Sequence, residues 1–487
     1  MDRCRICQVP GYREIELLRA VVRDALELDP ATADLLREGN PERFVVVKPN
    51  WLQESHEFKP DVWEPVITHP SLVLAVIEEL ARLMRGRGTI CVGDAPHTYA
   101  NFQAIVARGG LNGRLQDVRQ HYPTLRLELL DLRREVWIRK EEVVVQRRRN
   151  GYDPRGHVQL NLGRESLFYA HPGEGRYYGA DYNARTVNAH HHGEIQEYLL
   201  AGTPIACDLF VNLPKLKTHK KTGITCCLKN LVGINADKNW LPHHTEAGPA
   251  WQGDEFPQER LAQCVERCMK RAGRQLMATL PLVGNWIYRR LRNAGKHVLG
   301  DSDTVIRNGN WHGNDTCWRM ALDLNRALLY GNPDGTWKEA GSPKRYLAIV
   351  DGVIGGEGNG PLCPDPVASG VILYGTNPAS VDAVASRLMG FDPERLPIVR
   401  HAFDPHRWPI GEADLEEIEV HDDRLGRQVP LSEVSPAVPG GFKPHFGWTA
   451  LKQGYDACHS RIGQSDDPTE WKSPRRIASK CDRAGAP

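Results

Sequence analysis

The sequence has no apolar run long enough to cross a bilayer. The nearest run, residues 276–288, is interrupted by Pro281, Gly284 and Asn285, whereas a spanning helix needs roughly 20 consecutive apolar residues. The N-terminal residues also lack the apolar segment that characterises a secretory signal. We therefore expect a protein that has no integral membrane segment and is cytoplasmic.

An excess of charge of one sign is also missing. The 62 Lys and Arg residues are balanced by 61 Asp and Glu, which gives a formal net charge of +1. Domains built to bind nucleic acid are usually strongly basic, so the composition argues against a nucleic-acid partner. The 41% hydrophobic and 25% charged residues are typical of a globular protein.

The twelve cysteines do not form a metal-binding or disulfide pattern. Without a secretory signal, most of them are expected to be reduced thiols. Cys4 and Cys7 form one CxxC and Cys264 and Cys268 lie one helical turn apart, but neither pair has a second pair at zinc-finger spacing. Zinc at either pair stays open, and the cysteine run of a ferredoxin module is absent.

Apolar periodicity alternates between strands and helices over the first third of the chain. Residues 43–50, 89–94 and 125–132 have strand patterns, and the segments 71–84 and 101–107 between them have helical patterns. This order predicts an α/β fold with a mostly parallel sheet. Because parallel strands carry functional residues at their carboxyl ends, we expect a site at Lys48, Asn50 and Asp94.

The same pattern resumes later and predicts two α/β domains with mostly parallel sheets, insertions and a cleft between the domains. Clefts of that kind commonly hold small ligands. The predicted parts are an N-terminal extension (1–40), a first α/β part (41–142), an insertion (143–200), a motif-bearing core segment (201–245), a helical insertion (246–310), a second α/β part (311–440) and a polar C-terminal tail (441–487).

The densest set of reactive side chains follows a short apolar strand, residues 209–213. Four lysines and a histidine lie within residues 215–221, and two cysteines, a lysine and an asparagine follow. Such cations repel one another unless an anion or a carboxylate lies among them, although a solvated basic loop is the alternative. We therefore expect a small anionic ligand at Lys215, Lys217, His219, Cys226, Cys227, Lys229 and Asn230.

Two further carboxylate positions are candidates. Asp351 and Glu357 lie in a glycine-rich segment, 351–361, which is expected to form a flexible turn close to a ligand or else a plain tight connection. It is not a phosphate-binding P-loop, because no Gly-Lys-Ser/Thr ends it. Asp382 lies among small residues of a predicted helix, where a carboxylate needs a partner; it could cap a turn, pair with a lysine or bind a metal.

Several segments together resemble the bacterial and archaeal family known as a domain of unknown function, DUF362. These segments, in order from about residue 43 to 395, are 47–50, 68–73, 92–94, 212–219, 228–233, 351–361 and 381–384. The resemblance implies an α/β protein that is associated with iron-sulfur chemistry, because some members are fused to ferredoxin domains. It implies a ferredoxin-like redox partner but no particular substrate.

The chain is also faintly similar to nickel-pincer lactate racemases. His69, His219, Lys229 and His243 or His244 occur in that family's order, with Lys229 ten residues after His219. Cys226 and Cys227 replace both glycines of the Ser-Gly-Gly-x-Lys motif and could supply thiolate ligands. The similarity implies a nickel-pincer type of cofactor, with a divalent metal or an iron-sulfur centre as alternatives.

These observations predict a metal- or cofactor-dependent enzyme, of racemase, isomerase or oxidoreductase type, acting on a small anionic hydroxy acid or acidic sugar. The predicted catalytic residues are His219, Lys229 and His69, and the predicted metal ligands are Cys226, Cys227, His243 and His244. The predicted ligand-binding residues are Lys48, Asn50, Asp94, Lys215, Lys217, Lys229, Asn230, Asp351, Glu357 and Asp382. The alternatives are an electron-transfer or metal-delivery partner without catalysis, and a phosphate or nucleotide binder.

Overall fold

The computed structural model describes residues 3–140, 143–151, 153–179, 184–258, 268, 305–411 and 414–451. Its strands, in chain order, are β1 (Arg3–Gln8), β2 (Phe44–Pro49), β3 (Thr89–Asp94), β4 (Arg126–Asp131), β5 (Glu135–Lys140), β6 (Val143–Arg149), β7 (His157–Asn161), β8 (Tyr177–Tyr178), β9 (His191–His192), β10 (Ile195–Ala201), β11 (Leu209–Leu213), β12 (Lys215–His219), β13 (Gly223–Thr225), β14 (His244–Thr245), β15 (Arg345–Asn359), β16 (Cys363–Gly375), β17 (Glu419–Asp422) and β18 (Arg427–Pro430). Its α-helices are Ile15–Leu26, Pro30–Arg37, Pro70–Leu83, Phe102–Ala107, Leu111–His121, Ala184–Ala189, Gly202–Ala206, Cys227–Asn230, Cys317–Tyr330, Pro378–Leu388 and Pro397–Arg400.

One large sheet organises the fold. Its order is β18-β17-β1-β16-β15-β11-β2-β3-β4, with β12 also paired to β15 and β13 paired to β12. The pairs that join β15, β11, β2, β3 and β4 are parallel, whereas β16 is antiparallel to both neighbours. The predicted α/β class is confirmed, and strands from both predicted α/β parts lie in this single sheet.

The central strands are apolar because both faces of the sheet are covered. Val45, Val46 and Val47 of β2 are buried, and alternate residues belong to two separate core clusters. The helix Pro70–Leu83 packs its apolar residues into one cluster, and the helices Cys317–Tyr330 and Pro378–Leu388 pack into the other. Runs of β-branched residues are expected where a parallel strand is buried on both sides.

The glycine-rich segment differs from its prediction. Asp351 to Asn359 continues β15 and pairs with β16 as a long hairpin, so the segment is a strand and not a flexible turn. Glycine there permits close packing, because a side chain at Gly355 or Gly356 would meet Phe442 or Lys217.

The two ends of the described chain are also part of the core. β1, in the predicted N-terminal extension, pairs with β16 and β17. Phe442, Trp448 and Leu451 are buried in the main core, so the first residues of the predicted tail are packed. Most of the predicted helical insertion (246–310), including Cys264, and residues 452–487 of the tail lie outside the described residues.

Cys4 and Cys7 cannot share a metal ion through their side chains. They are three residues apart on β1, and successive side chains of a strand point to opposite faces; accordingly Cys4 and Cys7 belong to different core clusters. None of the nine cysteines that the structure describes forms a disulfide. None of the described helices has the length and apolarity required to cross a membrane.

Candidate functional site

The carboxyl ends of the parallel strands bring the predicted polar residues together. Lys48 is directly opposite Asn212 in the pairing of β2 with β11, and Asp94 is the last residue of β3. Ligands of open α/β sheets bind beyond this edge. Here the edge is extended by the β12-β13 hairpin and by the short helix Cys227–Asn230, which carries Lys229.

A pocket of about 210 Å³ opens at this edge. Its charged lining is strongly cationic, because five lysines face a single carboxylate among the described residues. Its polar and charged lining residues are Asn50, Asp94, His97, Thr98, Lys217, His219, Lys220, Lys221, Thr225, Lys229, Asn230, Lys238 and His243.

The carboxylate in the pocket wall is already paired. Lys48 Nζ lies 2.9 Å from Asp94 Oδ1, and the other carboxylate oxygen accepts a hydrogen bond from the Trp51 backbone N–H at 2.7 Å. Oδ1 has this ion-pair contact but no well-aligned hydrogen bond. Gly233 lies against the pair so closely that any side chain there would collide with Asp94 Oδ1 and Lys48 Nζ. The Lys48–Asp94 contact therefore depends on glycine at that position.

A chain of three asparagines fixes the wall beside this pair. Asn212 Nδ2 donates to the Cys227 carbonyl, so its Oδ1 is the atom that accepts from Asn230 Nδ2 at 2.7 Å. Asn230 Oδ1 then accepts from both Asn50 Nδ2, at 2.7 Å, and Lys48 Nζ, at 3.1 Å. Because the Cys227 carbonyl can only accept, it fixes the orientation of the Asn212 amide and, through it, those of Asn230 and Asn50. Asn50 Oδ1 is then buried without a partner among the described residues.

Three of the pocket lysines are held by backbone carbonyls. Lys217 Nζ donates to Val66, Lys221 Nζ to Asn308, and Lys238 Nζ to Val232 at 2.6 Å and to Asn235 at 3.2 Å. Burial lowers the pKa of Lys238 to about 7 and that of Lys221 to about 8, because desolvation disfavours the charged amine. Burial also lowers the pKa of Lys217 well below its usual value.

Lys229 differs from these three lysines. Its side chain is 93% buried and lines the pocket, yet its amine makes no hydrogen bond with any described residue. Burial lowers its pKa. Nearby, Thr225 lines the pocket with a hydroxyl oxygen that has no hydrogen-bond partner in the described chain.

Two of the three pocket histidines, His219 and His243, have opposite tautomers. His219 Nδ1 accepts from the Lys221 backbone N–H at 3.0 Å, so in the neutral ring the proton is on Nε2. His243 Nδ1 lies 2.9 Å from the Leu241 carbonyl and must donate to it, which leaves Nε2 as a free acceptor. Burial and the nearby lysine charges lower the pKa of both rings well below 6.5, so both are neutral at pH 7.

Lys215, Asp351 and His69 form a separate buried cluster with Tyr12. Asp351 accepts hydrogen bonds from Tyr12 OH at 2.7 Å, the His69 backbone N–H at 2.8 Å and Lys215 Nζ at 2.9 Å. The His69 ring stacks on Tyr12 at 3.6 Å, and its Nδ1 caps the helix Pro70–Leu83 by accepting from the Ser71 N–H. None of these four residues lines the pocket.

Cys226, Cys227 and Asp382 form a buried group whose three potential ligand atoms lie within 4.8 Å of one another. Asp382 accepts from the backbone N–H groups of Cys227 and Leu228, which explains its position on the helix Pro378–Leu388. Burial raises the pKa of Cys226 to about 11, which favours the neutral thiol, and that of Asp382 to about 6. The group provides one soft three-ligand site, short of the four thiolates typical of an iron-sulfur cluster.

The remaining predicted residues lie outside the pocket. Glu357 pairs with Lys443, accepting from its backbone N–H at 2.8 Å. His244 stacks on Tyr178, with ring centroids 5.2 Å apart. Thus the pocket gathers Asn50, Asp94, Lys217, His219, Lys229, Asn230 and His243 from the predicted set, and Lys48 lies behind its wall.

Sequence reasoning did not select Lys221, Lys238, Thr225 or Asn212 as site residues. Lys221 belongs to the same lysine-rich hairpin, and its charge was a usable signal. Lys238 begins a short 3-10 helix, Lys238–Trp240, and no periodicity in the sequence connects it to the sheet edge. Its position becomes evident only from the fold.

Comparison with known proteins gives one match to a family model. Residues 163–387 match the model of the family described as "Domain of unknown function (DUF362)". The match covers a little under half of the chain. No curated protein and no solved structure matches the sequence. The matched segment contributes the lysines and histidines of the pocket from Lys217 to His243, whereas Asn50 and Asp94 come from the chain that precedes it.

Proposed function

We propose that the pocket binds a small anionic hydroxy acid or acidic sugar and moves a proton at a carbon that bears oxygen, as a racemase or isomerase does. The observation that carries this proposal is the cationic lining, in which five lysines face one carboxylate that is already paired with Lys48. Grouped, desolvated cations are unfavourable without a counter-charge. A bound carboxylate would supply it.

The lysines would fix the ligand by its anionic group. Lys217, Lys221 and Lys238 are held in position by carbonyl groups, while Lys229 has its hydrogen-bonding capacity available. A charge-assisted hydrogen bond to a carboxylate is about twice as strong as a neutral one. Neutralising the carboxylate also stabilises negative charge that develops on the neighbouring carbon.

The histidine tautomers suit proton transfer. His243 presents an unprotonated Nε2 that can accept the proton from carbon, and His219 presents an Nε2–H that can donate to the ligand oxygen. The sequence predicts His219 as the acid or base and His243 as a metal ligand. The tautomers support His219 as the donor and His243 as the base.

Binding and exchange test the proposal separately. Calorimetry should show that lactate and glucuronate bind, whereas lactamide and glucose, their neutral counterparts, do not. Lys229→Met should weaken binding, and Lys59→Met should not, because Lys59 pairs with Asp365 outside the pocket. Proton NMR in deuterated water should show loss of the carbon-bound hydrogen of the bound acid. Equal affinity for acids and neutral analogues would contradict the proposal.

A further inference from the structure

We propose that Lys229 is a nucleophile that forms an imine with the carbonyl group of a small oxo acid, such as a 2-oxo acid or the open-chain form of an acidic sugar. This inference rests on the anion site of the proposed function and assigns to it small acids that also carry a carbonyl group. It follows from one contrast within the pocket: an amine without a partner lies among amines that have partners.

The partners determine what each lysine can do. The amines of Lys217, Lys221 and Lys238 donate to backbone carbonyls, so their nitrogen atoms are held in place at the wall. The Lys229 side chain is also largely buried and lines the pocket, but its amine makes no hydrogen bond with any residue that the structure describes. A buried amine without a partner is costly, and such groups in native proteins commonly have a functional explanation.

The surroundings favour the reactive form of this amine. A lysine attacks carbonyl carbon only when it is unprotonated, and desolvation or neighbouring cations keep it so at neutral pH. Both conditions hold, because Lys229 is buried and shares the pocket with other lysines. Its lowered pKa agrees with this geometry.

The same pocket can hold the rest of an oxo acid. The carboxylate would lie against the fixed cations, and the adjacent carbonyl would then be presented to Lys229. His219 Nε2–H can donate to the carbonyl oxygen, and His243 Nε2 can accept a proton. The Lys229 nitrogen forms a bond to the carbonyl carbon, and the oxygen leaves as water with the two protons that the amine loses. No oxidant or reductant is needed.

An imine would make the proposed proton transfer easier. Once it is protonated, it draws electrons from the bonds of the neighbouring carbon, so a hydrogen there becomes acidic. His243, whose Nε2 has no partner among the described residues, is available to accept that hydrogen as a proton. An oxo acid therefore uses both features of the site, the nucleophilic amine and the free base.

Borohydride trapping tests this inference on the full-length protein. The protein is incubated with pyruvate, glyoxylate, 2-oxoglutarate or glucuronate, with and without sodium borohydride, and then digested for peptide mass spectrometry. We expect a reduced, covalent adduct at Lys229 with at least one of these acids, and not at Lys217, Lys221 or Lys238. Lys229→Arg, whose guanidinium does not form an imine, should abolish the adduct, while Lys59→Arg should leave it intact.

Calorimetry with the same acids, without borohydride, separates the two proposals. Binding together with an adduct at Lys229 supports both. Binding without an adduct overturns the imine and leaves the anion site in place. An adduct spread equally over the pocket lysines also overturns the role of Lys229. If these acids and the hydroxy acids all fail to bind, the proposed function itself is overturned. The mapping uses the unaltered chain, so it does not depend on a variant that folds.

Discussion

Two buried lysine–aspartate pairs in this molecule have the same groups at the same distance and different surroundings. Lys215 Nζ and Lys48 Nζ each lie 2.9 Å from an oxygen of Asp351 or Asp94. Around the first pair, Tyr12 OH contacts both partners and the His69 backbone N–H donates a hydrogen bond to the Asp351 carboxylate. Around the second, Asp94 lines a pocket of lysines.

The difference separates a structural pair from one at a binding site. The Lys215–Asp351 pair is closed, because the protein itself supplies donors to both carboxylate oxygens and neither residue lines the pocket. The Lys48–Asp94 pair is open, because Asp94 Oδ1 lacks a well-aligned donor and Asn50 Oδ1 beside it has no partner among the described residues. Identical ion-pair distances therefore do not indicate identical roles.

The largest expected effect comes from breaking the closed pair. Lys215→Met should lower the free energy of unfolding by about 3–5 kcal/mol, because it leaves Asp351 as an uncompensated buried charge. Anion binding by the folded protein should change little. Denaturant titration followed by circular dichroism measures the first, and calorimetry measures the second.

A double variant provides the control for this prediction. Lys215→Met combined with Asp351→Leu removes both charges and should recover much of the loss, since replacing a whole buried pair by apolar residues is often neutral. Lys48→Met should cost less than Lys215→Met, because pocket lysines near Asp94 can still compensate its charge. An equal cost would remove the distinction between closed and open pairs.

A smaller effect is expected at Lys229, where anion affinity should fall and the stability of the empty protein should not. Lys229→Met should weaken anion binding by about 1.5–3 kcal/mol, the range for a hydrogen bond to a charged group. It should not destabilise the empty protein, because it replaces a buried amine that has no partner in the described chain. Calorimetry and thermal unfolding measure the two quantities.

Lys344 is a matched control for Lys229. It is also buried, but its amine donates to the Ile205 carbonyl at 2.8 Å and the Cys207 carbonyl at 2.9 Å, and it does not line the pocket. Lys344→Met should therefore lose stability and keep the affinity for anions. If both lysine variants lost stability alike, the amine of Lys229 would have a structural partner in the folded protein.

The third effect depends on pH. The pKa of Lys238 is about 7 in the folded protein and about 10.4 in an unfolded chain, so between these values the unfolded state binds more protons. Stability without ligand should therefore rise with pH over about pH 7 to 10, by at most about 1.4 kcal/mol per pH unit for this group. Below pH 7 the lysine is charged in both states, and this increase in the free energy of unfolding is absent.

Anion affinity should change in the opposite direction over the same range. Protonated Lys238 and Lys221 attract the ligand, and both lose charge as pH rises through about 7 and 8. Thermal unfolding at several pH values, with and without the bound acid, would show the two trends. Parallel trends would contradict a pocket that uses lysine charge for binding.

The sequence predicted the sheet edge but not the boundaries of the site. The strand patterns that end at Lys48, Asn50 and Asp94 were sufficient to predict this edge, because parallel strands bring their carboxyl ends together. The lysine-rich hairpin was recognised by charge alone. Lys238 was not selected, because it reaches the pocket from a single 3-10 turn, Lys238–Trp240, whose position depends on tertiary packing.

The sequence also could not separate the two lysine–aspartate pairs. Lys215 and Lys217 both belong to β12, but only Lys217 lines the pocket. Lys215 meets Tyr12, more than two hundred positions away in sequence, and no local pattern encodes such a contact. Spacing could show that the residues are reactive, but only the fold shows which partner each residue has.

The smallest expected effect is at Glu357. Its closeness to Asp351 in the sequence suggested that both carboxylates lie at one site. Because the segment between them is a strand and not a turn, Glu357 lies at the far end of β15, beside Lys443, whose side chain is 81% exposed. Glu357→Gln keeps an oxygen that can accept from the Lys443 N–H and removes only a solvent-screened ion pair, which contributes about 0.2–1 kcal/mol. We expect a loss of stability within that range and unchanged anion affinity. A marked loss of anion affinity would show that Glu357 reaches the ligand. The pocket would then contain a second carboxylate besides Asp94, and the open Lys48–Asp94 pair would not be its only acidic feature among the described residues.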